Sequence, residues 1–475
     1  MTSQPNILVI IMDSVSAENL SCYGYHQVTT PHIDLLAQQS TLFEQAISVG
    51  CWTLPVHASL FTGLYPLSHG VTTSKDALPG EFPTLALRLE ELGFQTACFS
   101  NNAYISETTG LTQGFDTVES VWSLSHSRGT KRTKMERLIK RLEQYGPRAN
   151  PVIRLARTLQ RARTLTKRLR NRRDKGAKLT NEKIQAWLTT RRNPNQPFFL
   201  FVNYMDCHLP YNPPYPYNRR FMPKHISPWH IARVGNNRDV IRRLSEERSL
   251  EDIQILRALY DGQLCYLDQQ IGELVRYIDS LGILDDTVLI ITSDHGDSLG
   301  EHNHIGHRMA LYEQLVRVPL LIRYPARFQP GARVRQQVSL IDLYPTILEL
   351  AGIDLSQENT NGFHSLITPL TAEARPFIIA ENTAPKSQND VIARMIRTGQ
   401  HKYIWKSNQE HELYDLVKDP RESANLVDLE TKLVRKMDEY LEEWKRSAVD
   451  HQIKTGQAEY DQLMLDVLRQ LGYVE

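Results

Sequence analysis

Two apolar segments of the chain each end in residues that could bind a metal ion. Residues 6–12 lead directly into Asp13, and residues 287–293 lead directly into Asp294 and His295. Segments rich in β-branched residues are typical of the central strands of a parallel sheet, and ligands collect at the carboxyl ends of such strands. We therefore predict that two carboxylates and an imidazole from distant parts of the chain meet at one edge of a sheet.

A third segment provides a hydroxyl group beside a helix terminus. Pro55 suits the first turn of a helix that ends at Gly63, so Thr53 would lie at or just before the N-terminus of this helix. The helix dipole and free N–H groups favour an anion at this position. Because a threonine hydroxyl is a weak nucleophile, it needs a base or a metal; a divalent ion held by the two aspartates and the histidine would bind and activate Thr53. Alternatively, Thr53 simply caps the helix.

The ligand types indicate which metal ion to expect. Calcium prefers oxygen ligands, whereas an imidazole in the coordination shell favours manganese, zinc or iron. The predicted site combines two carboxylates with one imidazole. We therefore predict one divalent ion, with Mn²⁺ or Zn²⁺ favoured over Ca²⁺.

Further motifs follow one another in order along the chain. They comprise Thr30–Asp34, Ala58–Pro66, His208–Tyr211, Gly300–His302, Leu311–Glu313 with Arg317–Pro319, and Glu412–Leu416 leading to Asp419 and Pro420. With the three segments above, they show that the chain resembles the sulfatase family of the alkaline-phosphatase superfamily over about residues 5–430. The resemblance implies a metal-dependent ester hydrolase with a doubly wound, mainly parallel α/β sheet flanked by helices.

The departures from the family pattern concern the nucleophile. Sulfatases that use formylglycine make it from a cysteine or serine in a Cys-x-Pro-x-Arg pattern, and alignment on Pro55 places Thr53 at the nucleophile and His57 at the arginine. Cys51 lies two residues too early. Since threonine cannot become formylglycine, the chain resembles the threonine-type branch, with its phosphonate monoester and phosphodiester hydrolases and lipoteichoic-acid-synthase-like transferases. Ser14 stands where many sulfatases have another metal-binding aspartate.

Histidines near these motifs are candidates for contact with an anionic ester. The resemblance implies that His208 and His307 act in catalysis by holding the ester oxygens. The predicted substrate-binding residues are His57, His304 and Tyr211. Each histidine could instead be a packing or loop residue, and this alternative applies equally to His302.

The organisation predicted from the sequence is two-part. Strand and helix signals alternate up to about residue 352, and short antiparallel strands with a following helix come later. We predict a catalytic α/β domain over residues 1–355 and a C-terminal α+β subdomain over residues 375–475. A basic helical insertion is predicted at about residues 125–180, where roughly one residue in three of Ser127–Lys178 is Lys or Arg. This insertion is either a solvated excursion or a surface for anionic lipid or a polyanion.

Composition narrows the classes of partner and the compartment. The 475 residues carry 55 Lys and Arg against 54 Asp and Glu, so no overall field favours nucleic acid. The five scattered cysteines indicate a reducing environment rather than a disulfide framework. Without a recognisable signal peptide or membrane span, the protein is expected to be cytoplasmic, or peripheral to a membrane surface. Its oligomeric state is left open.

These observations predict a hydrolase that cleaves a phosphodiester, a phosphonate monoester or a sulfate ester. A phosphothreonine intermediate can be released by water, whereas formylglycine offers sulfate a release route that threonine lacks, so phosphoesters rank first. The alternatives are a sulfatase without formylglycine, a transferase that passes the phosphoryl-alcohol group to a lipid or glycan acceptor, and a non-enzymatic binding protein.

Overall fold

The architecture comes from a computed structural model of the 475-residue chain. The structure describes residues 4–80, 82–123, 158, 174–234, 249–307, 310–355, 364–367, 375–383, 391–450 and 455–471. Most of the predicted basic insertion therefore lies outside the described residues. The segment between the two predicted domains, residues 355–375, also lies largely outside them.

The strands alternate with helices along the first three quarters of the chain. The described strands are β1 Asn6–Met12, β2 Thr41–Ile47, β3 Asp76–Ala77, β4 Gln95–Ser100, β5 Thr117–Ser120, β6 Phe198–Tyr204, β7 Thr287–Thr292, β8 Ser298–Leu299, β9 Ile305–Gly306, β10 Arg317–Val318, β11 Leu320–Arg323, β12 Arg333–Ser339, β13 Ile378–Asn382, β14 Ala393–Arg397, β15 His401–Lys406, β16 Glu412–Asp415 and β17 Gly456–Gln457.

The described α-helices are α1 Pro31–Ala37, α2 Thr53–Thr62, α3 Pro66–His69, α4 Leu85–Glu91, α5 Ala177–Thr190, α6 Tyr217–Arg220, α7 Pro228–Val234, α8 Leu250–Ser280, α9 Glu313–Val316, α10 Leu343–Leu350, α11 Thr431–Asp450 and α12 Gln462–Leu471. No described helix is both long enough and apolar enough to cross a membrane.

The central sheet is mainly parallel, as the sequence predicts. Its described strands run in the order β10-β2-β11-β7-β1-β6-β4-β5, and β12 pairs with β2. Strand β1 lies between β6 and β7 and is parallel to both, whereas β11 is antiparallel to β7. A parallel strand in this position is covered on both faces, which explains why β1 is apolar throughout rather than alternating.

Helices cover both faces of the sheet, so the fold is doubly wound. Ile7, Val9 and Ile11 of β1 pack in one core with residues of α2, α4, α10 and α12. The alternate residues of β1 pack in a second core with residues of α1, α5 and α8. The alternation of side chains along each strand thus divides the apolar residues between two layers.

A second, smaller sheet follows in the chain. Strands β13-β14-β15-β16 form an antiparallel meander, as predicted. One face of this sheet packs on residues of the main unit such as Ile47 and Leu315, and the other face packs on α11 through Met437 and Leu441. The predicted domain limits stay a prediction.

Candidate active site

The predicted metal ligands come together at the carboxyl edge of the central sheet. Because β1 and β7 are neighbouring parallel strands, Asp13 directly after β1 meets Asp294 and His295 just beyond β7. Ligand atoms of these three residues all lie within 4.8 Å of one another, and all three side chains are fully buried. Ser293 stabilises this arrangement, since its hydroxyl donates to the carbonyl of Met12 at 2.5 Å.

The cluster fits a divalent cation. Asp294 Oδ2 and His295 Nε2 lie 3.5 Å apart, and neither atom has a hydrogen-bond partner among the described residues. Burial and the neighbouring carboxylate of Asp13 raise the pKa of Asp294 to about 7. Buried polar atoms without partners are costly, and two carboxylates at close range repel each other, so a bound cation would remove both penalties.

Backbone and hydroxyl groups fix the orientation of these ligands. His295 Nδ1 lies 3.0 Å from the carbonyl of Gly296, so Nδ1 carries the proton and Nε2 is left to bind a metal. Asp294 Oδ1 accepts from the N–H groups of His295 and Ser14. The Ser14 hydroxyl donates to Asp13 Oδ1 at 2.9 Å, so the serine found in place of an aspartate orients a predicted metal ligand.

Thr53 lies beside the metal cluster, at the first residue of α2. The N-cap position is occupied by Trp52, so Thr53 is not the capping residue considered as the alternative. The Thr53 side chain is fully buried, and its Oγ1 lies 3.5 Å from Asp13 Oδ2. The hydroxyl predicted to be the nucleophile and the carboxylate predicted to bind the metal are therefore neighbours.

Asn102 joins these two groups and was not predicted from the sequence. Its Nδ2 lies 2.9 Å from Asp13 Oδ2 and 3.2 Å from Thr53 Oγ1, and its Oδ1 accepts from the N–H of Tyr104. The available signal was its place two residues after Ser100, the last residue of β4, because polar residues at the carboxyl ends of parallel strands collect at one edge.

His57 lies under the first turn of α2. Its Nδ1 is 2.8 Å from the carbonyl of Thr53 and 3.8 Å from Asp294 Oδ2, and its ring packs edge-on against Phe201. Burial lowers the pKa of His57 to about 4, so the imidazole is neutral at pH 7. In this structure His57 supports the turn that carries Thr53, and its predicted contact with substrate stays a prediction.

The two predicted catalytic histidines lie side by side. The ring centroids of His208 and His307 are 5.0 Å apart, and those of His307 and His295 are 4.4 Å apart. Burial lowers the pKa of His208 to about 3 and also lowers the pKa of His307. Both rings are therefore neutral at pH 7. Each directs its Nδ1–H to an oxygen, the Leu209 carbonyl for His208 and the Asp297 carboxylate for His307, so each Nε2 is an acceptor.

Asp297 positions His307 and is a second residue that sequence reasoning missed. Asp297 Oδ1 lies 2.7 Å from His307 Nδ1, and Asp297 Oδ2 accepts from the hydroxyl of Tyr211 at 2.7 Å. The Tyr211 hydroxyl is thus committed to orienting Asp297, while its predicted role in substrate binding stays untested. The signal for Asp297 was its place directly after the Asp294-His295-Gly296 motif.

The remaining predicted histidines lie outside the buried cluster. His304 is exposed in the turn between β8 and β9, and its predicted contact with substrate stays a prediction. His302 stacks on Tyr312 with ring centroids 3.7 Å apart, which favours a structural role.

Comparison with known families matches this architecture. The sulfatase family profile matches residues 5–353, and a profile described as N-sulphoglucosamine sulphohydrolase, C-terminal, matches residues 300–447. An arylsulfatase of Clostridium perfringens is 25% identical over 447 residues, which cover 90% of this chain and 91% of the relative.

Solved structures share the fold at lower identity. A phosphonate monoester hydrolase of Agrobacterium radiobacter aligns with a TM-score of 0.71 at 22% identity, covering 94% of this chain and 96% of that chain. BT4656, solved in complex with its substrate D-glucosamine-2-N,6-O-disulfate, aligns with a TM-score of 0.70 at 21% identity, covering 94% and 99% of the two chains. At these identities the likeness establishes the fold.

Proposed function

The chain belongs to the sulfatase family and is a hydrolase of sulfate or phosphate esters, and we propose that it cleaves a phosphodiester or phosphonate monoester with Thr53 as nucleophile. The observation that carries the proposal is the place of the Thr53 hydroxyl. It lies at the first turn of α2, 3.5 Å from the Asp13 carboxylate and within hydrogen-bond distance of Asn102. The helix N-terminus favours the anionic group that the hydroxyl would attack.

Asp13, Asp294 and His295 would hold the divalent ion, for which the partnerless atoms of the last two residues are suited. When bound, this ion would increase the acidity of a neighbouring hydroxyl and offset charge on the ester. We propose Mn²⁺ or Zn²⁺ over Ca²⁺, because one of the three ligands is an imidazole.

The residues around Thr53 fit an in-line displacement. The Thr53 oxygen would give up its proton and form a bond to phosphorus while the bond from phosphorus to the leaving oxygen breaks. The leaving oxygen would take up a proton and depart as the alcohol. Asn102 would hold the attacking oxygen in place. Because His208 and His307 carry their ring proton on Nδ1, either ring would donate to a non-bridging oxygen through Nε2 only after Nε2 takes up a proton. Water would then hydrolyse the phosphothreonine ester and regenerate the hydroxyl.

The comparisons support both sulfate esters and phosphoesters as substrates. We rank these two classes by the chemistry of the proposed nucleophile, Thr53. The arylsulfatase relative is closer in sequence, and the phosphonate monoester hydrolase shares the fold. Thr53 favours phosphorus chemistry, because a phosphothreonine ester can be opened by water at phosphorus. Sulfate ester hydrolysis without formylglycine is the second candidate, which the arylsulfatase relative favours.

An activity panel with variants of Thr53 tests the proposal. The substrates are p-nitrophenyl sulfate, p-nitrophenyl phosphate, bis(p-nitrophenyl) phosphate and p-nitrophenyl phenylphosphonate, with protein stripped of metal and reloaded with Mn²⁺, Zn²⁺ or Ca²⁺. We expect Thr53→Ala to lower kcat/KM for the diester or phosphonate by at least about a thousandfold, as loss of a covalent nucleophile does, and Thr53→Ser to retain activity.

Thr62→Ala is the matched control for this experiment. Thr62 is buried in the same helix, and its hydroxyl donates to the carbonyl of Ala58, away from the metal cluster. Activity of Thr53→Ala within tenfold of wild type would refute the nucleophile. A preference for the sulfate ester would refute the ranking of substrates. Capture of the group by added alcohols in excess of their share against water would identify a transferase.

A further inference from the structure

One cation near the candidate active site has no part in the chemistry described above. Lys175 lies two residues before α5, on the described edge of the predicted basic insertion. Its backbone N–H donates to Asp206 Oδ1 at 3.1 Å, and its ammonium donates to the carbonyl of His208. The residue is thus attached at two points to the loop that follows β6 and carries His208.

The charge of this ammonium group acts on the active site. It interacts with the carboxylates of Asp206, Asp13 and Asp297, of which the second is a predicted metal ligand and the third orients His307. Burial lowers the pKa of Lys175 to about 8, which leaves the ammonium form in the majority at pH 7. A positive charge therefore lies beside the buried His208.

The ammonium group also has unused donors. An ammonium offers three N–H bonds, and the His208 carbonyl is the only acceptor of this group within the part of the chain that the structure describes. Lys175 as a whole residue is half-buried, so part of it reaches the surface. Two N–H bonds on a fixed cation next to His208 suit the oxygens of an anion.

We propose that Lys175 binds the non-bridging oxygens of the anionic ester and is a substrate-binding residue of this site. The assignment rests on the proposed place of the ester beside His208. It gives the chain a source of positive charge outside the family motifs, contributed by the segment that precedes α5. Lys175 would contribute to the affinity for the anion in both the substrate and the inorganic product.

Calorimetric titration of the metal-loaded full chain with inorganic phosphate and with sulfate tests this assignment. The informative variant is Lys175→Gln, because glutamine keeps an N–H donor for the His208 carbonyl but has no charge. We expect Lys175→Gln to raise the Kd of the anion, and the KM of the ester, by roughly 10- to 100-fold, as expected for a hydrogen bond to a charged group. Lys175→Arg should recover most of the affinity.

Lys178→Gln is the matched control, since Lys178 is an exposed residue in the first turn of α5. The Lys178→Gln variant should bind the anion with the affinity of wild type. The proposal would be overturned if Lys175→Gln bound the anion within twofold of wild type. It would also be overturned if Lys175→Arg were as weak as Lys175→Gln with an unchanged melting temperature, which would identify a structural tether.

The titration distinguishes this proposal from the proposed nucleophile. Repeated in the Thr53→Ala background, it measures anion binding without turnover, so it gives an answer even when Thr53 plays no part in catalysis. Should Lys175→Gln fail to fold, Lys175→Met and Lys175→Arg supply the same comparison between an uncharged and a charged side chain. Equal anion affinity in that pair would overturn the proposal.

Discussion

Substitution of Asn102 by alanine tests whether the two central groups of the site depend on one amide. Asn102 donates to the Asp13 carboxylate at 2.9 Å and approaches the Thr53 hydroxyl at 3.2 Å. The side chain is fully buried, so water does not readily replace it. We expect Asn102→Ala to release both the predicted metal ligand and the proposed attacking hydroxyl from their fixed positions.

The magnitude follows from the two hydrogen bonds. A bond to a charged acceptor contributes about 1.5–3 kcal/mol and one to a neutral hydroxyl about 1 kcal/mol. Their combined loss, about 2.5–4 kcal/mol, corresponds to a decrease in kcat/KM of roughly a hundredfold to a thousandfold. The decrease should fall mainly on kcat, because the bonds hold reacting groups rather than remote parts of the substrate.

The assay is steady-state hydrolysis of the best ester from the panel, with Asn101→Ala as control. Asn101 is the neighbouring buried amide, and its Nδ2 donates to Thr180 Oγ1 and to the carbonyl of Asn203. The control therefore reports loss of folding without loss of the contacts to Thr53. A kcat/KM for Asn102→Ala within threefold of wild type, or a decrease matched by Asn101→Ala, would refute the reasoning.

Three further predictions concern the metal site, its loop and the contact between the two sheets. Metal-stripped protein should melt at a higher temperature when Mn²⁺ or Zn²⁺ is added, with a stabilisation of about 2.7 kcal/mol when the free metal concentration is a hundredfold above Kd. Asp294→Asn should abolish this shift in melting temperature. An equal shift in the variant would contradict the site. Gly296→Ala should weaken metal binding at least about tenfold, because a Cβ at this position would lie 2.0 Å from the carbonyl oxygen of Gln314. Competition with a chelator measures the metal affinity. An unchanged affinity would show that the loop can shift. Burial would raise the pKa of Glu313, but the charges of Arg397 and the buried Lys402 lower this pKa to about 2. The Glu313 carboxylate therefore stabilises the fold at pH values above the pKa of an unfolded glutamate. This stabilisation is lost as the pH falls from about 4.3 toward 2. Glu313→Gln should therefore lower the free energy of unfolding by about 3 kcal/mol at pH 7, with a difference from wild type that shrinks below pH 4 in denaturant titrations; a difference that is constant with pH would contradict the charge interaction.

The sequence by itself predicted the features that depend on local patterns. Uninterrupted apolar runs identified β1, β6 and β7 because strands covered on both faces need apolar residues at every position. Pro55 and Gly63 identified the limits of α2, since proline suits a first helical turn and Gly63 has a φ of 71° at the helix end. The convergence of Asp13, Asp294 and His295 followed from the rule for parallel strand ends and from the family motifs.

The tertiary structure decided which polar groups contact one another. For Asn102 and Asp297 the only sequence signal was their place after a strand or a motif, and for Lys175 there was none. The contacts of these residues reach partners as distant as 89 positions along the chain. The tertiary structure also brings the Tyr211 hydroxyl to Asp297, to which it donates a hydrogen bond. Such contacts depend on the order of strands and the packing of loops, which are non-local, whereas strand and helix signals are local. The sequence therefore determined the elements and the candidate metal ligands, and only the fold determined the residues that orient these candidates.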